Sequence, residues 1–108
     1  MALVELDVFS GRVNPRWSLD RAAEATFDGL VQRLGPTAED LPDPPGLGYR
    51  GFVVSRLTGE YHVYRGFCRT PTDVRSDPGR GVERFLLGTL PAHFENLRAI
   101  VDAEIQRP

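Results

Sequence analysis

The sequence predicts an α+β fold: a three-stranded sheet in β-α-β-β-α-α order, with helices packed on one face. Three observations lead there. The N-terminus, LVELDVFSG, alternates with a period of two. Apolar residues between Leu19 and Leu34 recur at helical spacing. The tetrapeptide YRGF stands at Tyr49–Phe52 and again at Tyr64–Phe67, on either side of a glycine-containing connection.

In the first run Val4, Leu6 and Val8 point one way and Leu3, Glu5, Asp7 and Phe9 the other. That is a half-buried strand with its aliphatic set toward the core. SGRVNPRW follows, with Gly11, Asn14 and Pro15 as turn chemistry. Ser18 is placed to cap a helix over residues 19–34, which Gly35 and Pro36 stop. Residues 36–48 hold four prolines and three acids and fit no regular element. Such a loop is long for a small domain, where connections run about 4–6 residues. It reads either as a surface crossover stiffened by proline or as a lid.

The hairpin comes next. With Thr58 and Gly59 as its loop, Leu57 faces Glu60, Val54 faces Val63, Phe52 faces Arg65 and Gly51 faces Gly66. The repeat then need not record a duplication; it is one cross-strand pattern read twice. This register puts Arg50, Phe52, Val54, Arg56, Tyr61, Val63, Arg65, Phe67 and Arg69 on one face. Tyr49, Gly51, Val53, His62, Tyr64, Gly66 and Cys68 take the other. Matching Val4–Leu6–Val8 to Val53, Tyr64 and Cys68 assigns the glycine face to the helices and the Arg/Phe face outward. A one-residue slip would exchange them. TDVRSDPGRG reads as a polar stretch ending in a helix start at Asp77-Pro78, and Val82, Phe85, Leu86 and Leu87 mark a short helix. Thr89 caps a last helix carrying Phe94, Leu97, Ile100, Val101 and Ile105.

At 108 residues the chain is the size of one domain, 1–108. A formal charge of −2 provides no global basic field for nucleic acid or an anionic membrane. All 13 basic residues are arginine, which excludes Schiff-base chemistry on a lysine and leaves every cation a planar fork. The single cysteine, Cys68, excludes an intrachain disulfide. No apolar run approaches the roughly 20 residues that span a bilayer, and the N-terminus reads as a strand rather than a secretory leader. A cytoplasmic location is the expectation.

Chemistry is sparse. Cys68 and His62 lie six residues apart on one strand, about 20 Å, too far for a dyad. Two histidines and one cysteine share no metal-ligand interval, so no metal site and no cofactor are expected. Gly79, Arg80 and Gly81 offer free N–H groups at a helix start, a weak anion signal. Arg12, Asn14, Arg16 and Trp17 are denser and form a candidate ligand site for a carboxylate or planar ring. The alternative is an ordinary turn with Trp17 plugging the core edge. The Arg/Phe face suits a protein partner or a second copy of the chain. Its RGF also resembles the opening of the first consensus motif of RNA-recognition-motif domains. That likeness covers three residues, no fourth strand follows the last helix, and Glu5 and Asp7 would repel phosphate, so nucleic acid is disfavoured. ELDVFSGRVNPRW together with GLGYRGFVV resembles a pattern in small proteins; the resemblance implies no activity.

Function at this level is a non-catalytic binding or accessory domain using Arg50, Phe52, Val54, Val63, Arg65 and Phe67, with homodimerisation as one use. The alternative is a small enzyme or a binder of a small anionic or aromatic ligand, with its pocket between the 10–17 and 36–48 loops.

Overall fold

Alternation in the first run continues from Ala2 to Leu6, where the computed structural model, which describes residues 1–8, 13–45 and 48–107, has strand β1. Strand β2 (Arg16–Leu19) follows, then α1 (Arg21–Gln32). Four strands come next: β3 (Phe52–Arg56), β4 (Gly59–Tyr64), β5 (Phe67–Arg69) and β6 (Val74–Ser76). A 3-10 turn (Pro78–Arg80) leads into α2 (Gly81–Gly88), and a second (Ala92–Leu97) into α3 (Arg98–Gln106). No helix among the described residues is long and apolar enough to cross a membrane.

Among the described residues the sheet has six strands, not three, in the order β2-β1-β3-β4-β5-β6, all antiparallel. The α+β class stands; the three-stranded sheet and the β-α-β-β-α-α order do not. Ser18 is no helix cap. It lies in β2 opposite Leu3, and Asp20 caps α1, its Oδ1 accepting from the Ala23 N–H at 2.7 Å. The second YRGF is not one straight strand: Arg65 and Gly66 turn the chain between β4 and β5. Val74–Ser76, inside the polar stretch, forms β6. Thr89 closes α2 instead of opening the last helix; its Oγ1 donates to the Leu86 carbonyl.

The β3–β4 turn is Leu57-Thr58, so Phe52 faces Val63 and Val54 faces Tyr61. The expected partners are displaced by two residues, an even shift that preserves which residues of the two strands share a face. Which side meets the helices is the reverse of the expectation. Val4 pairs with Val54 and Leu6 with Phe52, and directly opposed residues share a face. Phe52, Val54 and Val63 are therefore core residues, at most 1% exposed. Burying Phe52 outweighs burying Val53, at roughly 1.5–3 kcal/mol for a full large side chain. The arginines that argued against this face sit at its margins. Arg56 pairs with Glu24 and Asp28 of α1 and lies over the Tyr61 ring. Arg65 is in the turn. Phe67 is half-buried, opposite Tyr64.

Helix α1 contributes Phe27, edge-on to Tyr61; α2 contributes Val82 and Leu86, and α3 contributes Val101 and Ile105. The opposite face of the sheet carries the polar side chains from which a site can be built.

Candidate functional site

One row of residues crosses the whole outward face. Arg16 opposes Glu5, Glu5 opposes Val53, Val53 opposes His62, His62 opposes Arg69, and Arg69 opposes Val74. The β2 end is tied up internally: Arg16 Nε and Asn14 Nδ2 both donate to the Glu5 carboxylate, at 3.1 and 2.9 Å. Asn14 also donates to Asp7 at 3.3 Å and accepts from the Val8 N–H. Arg50, just before β3, binds Asp7 at 2.9 Å.

The other end is roofed. Residues 40–44 of the proline-rich segment face β4 and β5, and Asp40 accepts from the Arg69 guanidinium, which holds its carboxyl below the usual range. Proline explains the roof: a segment with few N–H donors has little call on sheet hydrogen bonds and keeps an extended form at low entropy cost. Between roof and sheet lies a groove of about 270 Å³. Its floor includes Val53, His62 and Arg69, its near end Asp7 and Arg50, and its roof residues 40–44. The imidazole Nε2 of His62 stands 3.6 Å from Glu60.

Of the expected ligand residues, Asn14 and Arg16 are on this face, and Asn14 positions a groove residue, Asp7. Trp17 is elsewhere. It is 8% exposed, edge-on to Phe52, and its indole N–H donates to Thr89 Oγ1 at 2.9 Å. Arg12 lies outside the described residues. Of the expected interface residues, Phe52, Val54 and Val63 are under the helices, while Arg65 and Phe67 are not. His62 and Arg69 were missed because the strand break at Arg65-Gly66 was missed. That turn brings Arg69 back beside His62.

A second polar centre joins the two YRGF copies. Glu83 of α2 is fully buried. It accepts from the Tyr49 hydroxyl at 2.5 Å and from the Gly66 N–H at 3.2 Å. Arg80 clamps it with two bonds of 2.9 and 2.8 Å. Arg80 also donates to the Glu104 and Arg107 carbonyls, so four of its five N–H donors are used within the fold. The Tyr49 and Tyr64 rings meet edge to face, 5.8 Å apart. Burial, then the Glu83 charge, pushes the Tyr49 phenol far up. The repeat thus marks two tyrosines packed together and one carboxylate that holds the first copy by its phenol and the second by its glycine.

Cys68 is sealed in the core, and burial pushes its thiol up to about 12. Among the described residues no three His, Cys, Asp or Glu side chains are grouped to hold a metal ion. No protein-family model, curated protein or solved structure matches this chain.

Proposed function

We propose that the chain is a binding domain whose groove, between the outward sheet face and residues 40–44, takes a small amphoteric molecule with an apolar body. The observation that carries this reading is the roof. A proline-stiffened segment is latched over a polar sheet face by the Asp40–Arg69 pair and encloses both charge signs in one groove. Arg69 and Arg50 suit a carboxylate, Asp7 and Asp43 suit an ammonium group, and Val53, Leu41 and the prolines suit the apolar part. A carboxylate that competes with Asp40 for Arg69 releases the latch as it binds, so entry and recognition use the same guanidinium. The Cys68 thiol is sealed in the core on the other side of the sheet and takes no part in the groove.

L-phenylalanine, 3-phenylpropionate and phenethylamine separate the requirements. In amide-shift titrations the zwitterion should bind more tightly than either half-molecule, with shifts at Val53, His62 and Arg69. Arg69→Gln should weaken phenylalanine and phenylpropionate and leave phenethylamine unchanged. No response to any of the three at millimolar concentration, or shifts elsewhere on the molecule, would overturn the reading.

A further inference from the structure

Two non-glycine residues among those described have positive φ, and both are arginines: Arg65 at 49° and Arg80 at 57°. They line the same small cavity, of about 130 Å³, beside the β4–β5 turn and α3 and next to a larger one. For Arg80 the cause is local, since its left-handed backbone delivers the guanidinium to Glu83. Arg65 has no such return. It is exposed and makes no hydrogen bond or ion pair with any described residue. It occupies the first position of a two-residue turn in which Gly66 also has positive φ, 86°. That geometry is the type I′ hairpin, where Asn-Gly, Asp-Gly or Gly-Gly sits without strain. Arginine at this position costs the fold and contributes nothing visible to it. Unrelieved backbone strain of this kind concentrates at ligand sites.

The surroundings suit such a site. The turn opens on a cavity of about 430 Å³ whose wall includes Arg65, Arg107, Tyr49 and Tyr64. Tyr64 is 5% exposed, yet its hydroxyl has no hydrogen-bond partner among the described residues and is not sealed from solvent. Arg107 is held loosely by Glu104, at 3.5 Å, and keeps donors to spare. Asp43 and Glu104 on the rim oppose a highly charged ligand and favour one compact anionic head on an uncharged body.

We propose that this cavity binds a small oxyanion carried on a planar or apolar group, with the Arg65 fork as its main donor and Arg107 and the Tyr64 hydroxyl beside it. The site is separate from the groove under residues 40–44, although Tyr64 and Asp43 border both. Arginine serves here because its planar fork meets carboxylate or phosphate oxygens in pairs.

Phenyl phosphate and benzoate test it at constant ionic strength, with benzyl alcohol as the uncharged body. Amide shifts at Arg65, Gly66 and Arg107 should report saturable binding of at least one anion and none of the alcohol; the tighter anion identifies the oxyanion. Arg65→Asn is the deciding variant. It converts the turn to Asn-Gly, so the melting temperature should hold or rise, while affinity falls about tenfold or more, the loss expected for a charge-assisted bond. Tyr64→Phe should weaken binding by a smaller factor. Arg69→Gln should leave this site unchanged, so failure here and failure of the groove reading are distinguishable. If Arg65→Asn binds both anions as the unaltered chain does, or if neither anion saturates beyond what chloride produces, the proposal is wrong.

Discussion

Gly51 and Gly66 occupy the same position in the two YRGF copies, and both have positive φ, 95° and 86°. The reasons differ, and so should the consequences of substitution. A Cβ on Gly51 would stand 2.4 Å from the Val63 carbonyl oxygen and 2.9 Å from the Tyr64 Cβ. Neither atom is the end of a flexible chain, so the strands must part. The constraint is the β4 backbone, not a helix approaching a glycine notch. At Gly66 the nearest atom is the Asp77 carbonyl oxygen at 3.7 Å, so only the backbone conformation resists a side chain. Gly66→Ala should therefore cost on the order of 1 kcal/mol, and Gly51→Ala that plus an overpacking term of roughly 1–3 kcal/mol. Urea unfolding of both variants checks the order. Equal losses would mean the close approach to Val63 is absent.

At the level of elements, α2 begins without a cap from the residue next to it: Arg80 makes no side-chain capping bond. Asp77, three residues earlier, does that work across the 3-10 turn. Its carboxylate accepts from the Val82 N–H at 3.2 and 3.0 Å and is 3% exposed. Burial raises its pKa, so the site tolerates a neutral acceptor. Asp77→Asn should keep most of the stability at neutral pH, whereas Asp77→Ala should lose about 0.5–2 kcal/mol, read from thermal or urea denaturation. Equal losses for the two would remove the capping role. That helix start was legible only in part: Asp77-Pro78 opens the 3-10 turn, and α2 itself begins three residues later at Gly81; β1 was legible in its alternation and α1 in its spacing. The short strands were not. β5 and β6 have three residues each, and β2 has four, too few for alternation to stand out from a turn. The β4–β5 turn was hidden for a different reason: Arg65 is not a turn residue, and its strain shows only in three dimensions. Losing that turn also hid the floor of the groove, because His62 and Arg69 are seven residues apart in sequence and adjacent in the sheet. The roof was visible as a proline-rich loop, but what it covers was not, because the helices were assigned to the wrong face. Trp17 shows the same limit: Thr89, which holds its N–H, is 72 positions away.

Taken whole, the molecule keeps two weak acids neutral inside: the Cys68 thiol, pushed up to about 12, and the Tyr49 phenol, also raised. Burial is the largest cause for both. In the unfolded chain they ionise near their ordinary values, about 8.5 and about 10. Above about pH 9 the unfolded state therefore releases protons that the folded state retains. It binds fewer protons, so stability falls as pH rises, by at most about 1.4 kcal/mol per pH unit for each group. The contribution is complete below the unfolded value and is lost as pH climbs toward the folded one. The composition makes this limb unusually readable. The chain has no lysine, and arginine stays charged past pH 12, so the loss of side-chain cations does not overlay the effect. The melting temperature should thus hold between pH 7 and 8 and fall from about pH 9 upward. Cys68→Ala should start from a lower plateau, because a buried side chain is truncated, but decline less steeply; slope, not level, is the measure. Tyr49→Phe should also flatten the decline while losing the bond to Glu83. A melting temperature unchanged to pH 11, or equal slopes in the unaltered chain and Cys68→Ala, would mean that the thiol is not sealed in the folded state. The β4–β5 pairing that places Cys68 opposite Val63 would then fail with it.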